Sequence, residues 1–371
     1  MKKDGALINE KFDALLSSFA QKNATSLGRL HAENPDPHRT PFQRDRDRVI
    51  HASAFRRLRG KTQVVSPQKG DHFRNRLTHT LEVSQIARDI ARQLGLNEDL
   101  AETIALAHDL GHPPFGHAGE TALHECLFAA TGDSFEHNQQ SLRIINVFEP
   151  RYADFEGLNL TWEVREGLKK HDTKFIHPVT GKRIYSPSLE SQVVDVSDEI
   201  AYLSADLEDA LRGGFINIQD LNQIEICRQV LAKIPASELS FRPSLIRGVM
   251  RLLISALVEN IQQNLATNHI QTFDDVQNFQ GGRLAVFDRS MYKKFRALKQ
   301  FLMKHYYRAP KVMDVTNRGQ KIIKSLFVLL EQTPTLMQNF DPQKDKYQQI
   351  VDFIAGMTDN FAEDFYKNHI S

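Results

Sequence analysis

The chain has 371 residues and a formal net charge of +1, with 41% hydrophobic and 25% charged residues. This is the composition of an ordinary globular protein, and its near-neutral balance excludes a global electrostatic pull toward nucleic acid or an anionic membrane. Two cysteines, Cys126 and Cys227, exclude a disulfide framework and fit a reducing compartment, while no run approaches the roughly 18 apolar residues of a membrane span.

The first residues, "MKKDGALINEKFDALL", carry charges inside what would have to be an apolar stretch. They do not read as a secretory signal, and the cytoplasm is the expected compartment. Residues 8–22 predict a short amphipathic helix. Residues 27–48, "LGRLHAENPDPHRTPFQRDRDR", are polar with three prolines and predict an arm or loop. In "RLTHTLEVSQIARDIARQLG", Leu77, Leu81, Ser84, Ile90, Ala91 and Leu94 fall close to helical spacing, and Gly95 is the stop. Asn97 is the expected N-cap of "EDLAETIALAHDLG", which closes at Gly111. "SFEHNQQSLRIINVFE" predicts a further helix with Ser134 as its cap. Residues 173–186 predict a small hairpin. "SLESQVVDVSDEIAYLSADLEDALRGG" predicts a long helix ending at Gly213-Gly214, and residues 216–264 and 287–371 predict several more. Strand signals are otherwise sparse, so the expected fold class is all-α. Three stretches are expected: an N-terminal helix and arm (1–45), a helical core (46–215) and a C-terminal helical region (216–371) packed on it.

The densest chemistry lies in "LAHDLGHPPFGHAGE", residues 106–120, where three histidines, an aspartate and a glutamate surround Gly111 and Pro113-Pro114. Helix neighbours point about 100° apart. The adjacent pair His108-Asp109 therefore serves one ion only at a helix edge where other elements close the shell. His79 lies on the preceding helix, and the short connection implies antiparallel neighbours that bring it toward the pair. Asp198, within "VVDVSDEIAY", completes a set of two imidazoles and two carboxylates. That mixed shell suits Mn, Fe, Co, Ni or Zn, with Mg tolerated. A second doublet, His171-Asp172, follows the charged "EGLKK" and reads as a solvated helix end or pocket edge.

The pattern His79, His108-Asp109, Asp198 resembles the HD-domain metal phosphohydrolase superfamily, and the longer stretches resemble deoxyguanosine-triphosphate triphosphohydrolase-like (dGTPase-like) proteins. The stretches are "FQRDRDRVIHASAFRRLRGKTQVV", "HFRNRLTHTLEVSQIARDIAR", "LAHDLGHPPFGHAGE", "FEHNQQSLRII", "VSDEIAYLSADLEDAL" and "VDFIAGMTDNFAEDFY". They span nearly the whole chain in family order, the last in what resembles the family's phosphohydrolase-associated C-terminal region. The resemblance implies an all-α HD core and a metal-dependent hydrolysis of a dNTP to deoxynucleoside and inorganic triphosphate.

That reaction expels a 5′-alkoxide, which needs a proton. His117 lies nine residues after His108, beyond the Pro-Pro turn, and Glu120 follows three residues later, within one helical turn of it. A carboxylate at that spacing orients an imidazole. By resemblance His117 and Glu120 are the catalytic pair, and His137 is a further active-site histidine on the phosphates. Arg76 is implied to contact the α-phosphate, Tyr202 to pack on the deoxyribose, Asp206 to accept from the 3′-OH, and Gln63 to touch the sugar. Tyr202 and Asp206 follow Asp198 by four and eight residues, which puts all three on one helical face.

The run "RDRDRVIHASAFRRLRGK" holds seven Arg/Lys in eighteen residues. It is open to three uses: a solvated face, offsetting substrate charge, or, through Arg56, Arg57 and Arg59, binding a regulatory nucleotide or an adjacent subunit. The resemblance further implies a homo-oligomer, often a hexamer, nucleotide activation in some members, and single-stranded DNA as a ligand of some relatives. Two other readings share the metal residues: another HD enzyme, a 5′-nucleotidase or phosphodiesterase, and a nucleotide or single-stranded nucleic-acid binding regulator with a silent metal site. Base preference, and a role for His112, are not legible.

Overall fold

The computed structural model describes residues 2–64, 74–149, 152–169, 175–177, 179–181, 183–235 and 242–370. Its helices are α1 Lys2–Asp13, α2 Pro41–Ile50, α3 Ser53–Arg57, α4 Arg76–Leu94, α5 Glu98–Ala107, α6 Gly116–Thr131, α7 His137–Arg143, α8 Trp162–Gly167, α9 Leu189–Arg212, α10 Glu225–Leu231, α11 Arg242–Thr267, α12 Phe273–Asn278, α13 Arg289–Leu302, α14 Pro310–Gln332, α15 Lys346–Gly356 and α16 Asp359–His369. The two strands, β1 Phe175–Ile176 and β2 Arg183–Ile184, pair antiparallel with Phe175 opposite Ile184. They are the small hairpin expected at 173–186, and the fold is all-α otherwise. No described helix is long and apolar enough to cross a membrane. The doublet His171-Asp172 lies outside the described residues.

Three elements depart from the sequence expectation. α1 ends at Asp13, well short of residue 22. There the Asp13 carboxylate accepts from Asn23 N (2.8 Å), Asn23 Nδ2 (2.7 Å) and Ala24 N (2.8 Å), and the Lys22 amine caps the carbonyls of Asp13 and Leu16. These bonds fold the chain back instead of letting the helix run on. Residues 41–48, expected in an arm, are helical. Pro41 stands at the first helical position, where a missing N–H costs nothing. Thr40 and Gln43 form a reciprocal cap, Gln43 N to Thr40 Oγ1 and Thr40 N to Gln43 Oε1. α7 begins at His137, after an extended Glu136, and not at a Ser134 cap. Its first amide is satisfied by Glu120 Oε1 at 3.1 Å, a cap supplied from α6.

Contacts divide the chain into two units that interleave along the sequence: residues 1–49, 81–106 and 159–309, and residues 50–80, 107–158 and 310–371. In the first unit α9 packs on α11, α13 and α8. α11 buries Leu245, Val249, Leu253, Leu257 and Ile261, the three-to-four spacing of one helical face. Buried polar side chains of α9 pin loops to it: Glu190 accepts from Gln21 N and Asn97 N, each at 3.0 Å, and Gln192 Oε1 accepts from Leu284 N at 2.8 Å. In the second unit α14 packs on α6, α15 and α16. Leu123, Ile323, Leu326, Leu330, Ile350 and Ile354 are completely or almost completely buried there. Each such side chain contributes on the order of 1.5–3 kcal/mol, which makes α6 a rigid base for the residues at its first turn.

Candidate active site

α5 is capped by Asn97, whose Oδ1 accepts from Leu100 N at 3.2 Å, and it ends at Ala107. His108 and Asp109 therefore sit in the turns that follow the helix. Leu110 N bonds Ala107 O at 3.3 Å and His112 N bonds Asp109 O at 3.2 Å. Ser141 of α7 clips the turn: its hydroxyl donates to His108 O (3.0 Å) and accepts from Gly111 N (2.9 Å). Gly111 lies so close to α7 that a Cβ there would stand 2.2 Å from His137 O and 2.3 Å from Ser141 N. Gly111→Ala is accordingly expected to push the first turn of α7 away. The expected loss is about 1–3 kcal/mol of stability, together with turnover, read by urea denaturation and a hydrolysis assay. A variant with wild-type stability would show that the backbone can yield here.

His79, at the first turn of α4, meets this corner. His79, His108 and Asp109 are each at most 3% exposed, and one ligand atom from each lies within 4.8 Å of the others. The two imidazoles stand edge-on, centroids 5.8 Å apart and planes at 64°, an arrangement in which in-plane nitrogen lone pairs can converge. His108 Nε2 is 3.2 Å from Asp109 Oδ1, while Asp109 Oδ2 takes Arg76 Nη1 at 2.8 Å. Arg76 thus orients the carboxylate and leaves Oδ1 on the side of the histidines. The donor set of two nitrogens and a carboxylate oxygen fits a divalent transition ion. Arg76 is itself 1% exposed, and its Nε and Nη2 have no hydrogen-bond partner among the described residues. They form a planar donor edge suited to two oxygens of a phosphate.

A second group, Asp109, His112 and His137, also brings its ligand atoms within 4.8 Å. It does not suit one ion. His112 and His137 stack face to face, centroids 3.8 Å apart and planes 17° apart, so their lone pairs run nearly parallel. What this group builds is a histidine cluster around one carboxylate. Glu120 Oε2 is 3.2 Å from His117 Nδ1, and its Oε1 is 2.7 Å from His137 Nδ1. An ionised carboxylate only accepts, so the Nδ1 atoms of His117 and His137 carry the protons of these two bonds. Burial pushes the Glu120 carboxyl up, but the hydrogen bonds from His117 and His137 outweigh it and hold the group well below its ordinary range. His112, buried beneath, also meets His117 edge-on at 5.5 Å. Burial, aided by Arg76, keeps the His112 imidazole well below the usual histidine range, so it is a neutral wall. Sequence reasoning left His112 without a role; the only available signal was its place three residues after Asp109.

Gln63 is buried, and its Oε1 has no hydrogen-bond partner among the described residues. Asp198, Tyr202 and Asp206 lie along α9 in the first unit. There the Tyr307 hydroxyl donates to Asp206 Oδ2, and the Tyr307 ring stacks on Tyr202 with planes 9° apart. Tyr307 is the residue of this group that the sequence did not single out. The basic run divides by partner. Arg46 pairs with Asp99 (3.0 Å) and Glu102 (3.1 Å), and Arg48 with Glu33 (2.7 Å). Arg56 is held by His51 O and Ser53 Oγ, Arg57 is half-buried, and Arg59 is exposed.

Comparison with known proteins places this geometry in context. Residues 76–203 match the HD domain model, and residues 285–368 match that of the phosphohydrolase-associated domain. The chain is 42% identical over 359 residues to the deoxyguanosinetriphosphate triphosphohydrolase-like protein of Thiobacillus denitrificans, covering 93% of this chain and 94% of the relative. It is 44% identical over 364 residues to the protein of that description from Azoarcus sp., covering 94% of each. With that of Geobacter sulfurreducens it shares 40% over 365 residues, 95% of this chain and 94% of the relative.

Proposed function

We propose a function from one premise: this chain belongs to the family of deoxyguanosinetriphosphate triphosphohydrolase-like proteins. It is a hydrolase of the HD type, with a His/Asp cluster able to hold a divalent metal. The finer reading is that it cleaves a dNTP to deoxynucleoside and inorganic triphosphate. The observation that supports it best is the pairing, within one unit, of the His79–His108–Asp109 triad with a carboxylate that holds two imidazoles, Glu120 on His117 and His137.

In this reading His79, His108 and Asp109 would hold the ion; Asp198, which the resemblance assigns to the same set, lies on α9 of the other unit. A divalent ion bound there supplies Lewis acidity toward a phosphate oxygen. The open edge of the Arg76 guanidinium takes the α-phosphate through paired N–H donors. His137, fixed by Glu120 and backed by the His112 ring, binds phosphate through Nε2. His117 delivers a proton from Nε2 to the departing 5′-oxygen, a contribution of about 10²–10⁴-fold. Glu120 holds the ring in place through its hydrogen bond to Nδ1. By the resemblance Tyr202 packs on the deoxyribose, Asp206 accepts from its 3′-OH and Gln63 touches the sugar. The Tyr307 hydroxyl donates to one carboxylate oxygen of Asp206.

Incubation of the purified protein with each dNTP and Mn²⁺, followed by separation of products, tests the reading. Deoxynucleoside with inorganic triphosphate is expected. Release of dNDP, or of dNMP with pyrophosphate, would overturn the cleavage position, and binding without turnover would favour a regulator.

A further inference from the structure

Two buried side chains tie the catalytic corner to the C-terminal helices, and the reaction as read above uses neither. The amine of Lys61, which is 1% exposed, donates to the carbonyls of His112 and Ala355. Asp359, the first residue of α16, accepts from Thr62 N at 3.0 Å, from the Thr62 hydroxyl, and from Phe115 N at 3.0 Å. Phe115 is the N-cap of α6, and its φ of 64° is left-handed. A bulky residue in that region is an outlier and costs on the order of 1–3 kcal/mol unless its surroundings hold it. The Asp359 carboxylate on its amide is one such restraint. Another is Gly319 of α14, where an added Cβ would lie 2.8 Å from Phe115 Cβ.

We propose that Asp359 is a positioning residue of the reaction. Through Phe115 it sets the start of the helix that carries His117, and through Thr62 it sets the segment that carries Gln63. Lys61 does the same for His112 from the other side of the turn. Burial pushes the Lys61 amine down to about 7, with Arg57 and Arg76 adding to the effect and Asp359 opposing it, so the two groups act on one another as well as on the backbone. The phosphohydrolase-associated region, which includes Ala355 and Asp359, thereby holds the geometry of the histidine cluster. A carboxylate suits the position because three donors converge on it. An amide would turn N–H groups toward at least one of them.

The proposal rests on the reading of His117 as the proton donor, and its test separates the two. Full-length, Mn²⁺-loaded Asp359→Asn is expected to lose about 10- to 100-fold in kcat, the effect of displacing a catalytic group by about 1 Å, with KM changed by less than about threefold. Metal content is expected to stay at the wild-type level. Hydrogen exchange of the peptide spanning Pro113 to Glu120 is expected to quicken. Thr62→Val is expected to show a smaller loss of the same kind, and Thr62→Ser to restore kcat. If Asp359→Asn does not fold, the Thr62 pair carries both readouts. Folded, metal-loaded variants with wild-type kcat and wild-type exchange over this peptide overturn the proposal, as does a lowered melting temperature alone. If the wild-type protein cleaves no dNTP, the functional reading falls, and the exchange experiment still decides whether Asp359 holds the turn.

Discussion

Asp109→Ala is expected to abolish metal binding and to lower turnover by roughly 10³-fold or more, since a Lewis-acid metal supplies several kcal/mol of the barrier reduction. Asp109 faces His108 and His112 through one oxygen and Arg76 through the other. Truncation therefore strips the ion of its carboxylate and leaves the Arg76 guanidinium buried without its counter-charge. Breaking a buried pair in this way costs about 3–5 kcal/mol, so a lowered melting temperature should accompany the loss and persist in chelated protein. Asp109→Asn separates the effects, because the amide keeps the shape and part of the bonding to Arg76. It is expected to melt closer to wild type while binding no metal. Metal content by plasma mass spectrometry decides the matter: a full complement of ion in Asp109→Ala would remove the residue from the ligand set.

His117→Ala is expected to keep its metal and its affinity for dNTP while losing about 10²–10⁴-fold in kcat, the range of a general acid. Glu120→Gln is expected to lose a similar factor, because it frees both His117 and His137, and the double variant should lose little more than either single one. The pH dependence carries a sign. The Glu120 carboxyl is held below its ordinary value, so its ionised form contributes stability that is present above the unfolded value of about 4.5 and is lost only as pH falls through the depressed one. The stability that Glu120 adds over Glu120→Gln should then shrink as pH falls below about 4.5. By the same argument, an acid limb in the kcat profile above that pH does not belong to Glu120. Unchanged kcat in His117→Ala would take the acid role from it.

The two ends of the catalytic corner differ in how far sequence reaches. The Asn97 cap and the Glu120 spacing are local, and the structure keeps both, while the helix expected to run through His108-Asp109 to Gly111 ends at Ala107. The arm at residues 27–48 carried its own helix signals, Thr40, Pro41 and Gln43, but its prolines and charges masked them. The basic run drew attention as a block. Its pairing, Arg46 to Asp99 and Glu102 and Arg48 to Glu33, depends on partners that sequence order does not bring near. The end of α1 is of the same kind, since Asn23 and Lys22 decide it by folding back.

By itself the sequence determined the helical class, the long α4, α5 and α9, and the residue types of the metal triad, because helical periodicity and adjacent ligands are properties of a few consecutive positions. The tertiary structure decided what those residues do to one another. It gave Glu120 to both His117 and His137, laid His112 against His137, turned one oxygen of Asp109 to Arg76, and brought Asp359 to Phe115 across 244 positions. Contacts of that length are set by the packing of whole helices, which no short window of residues encodes.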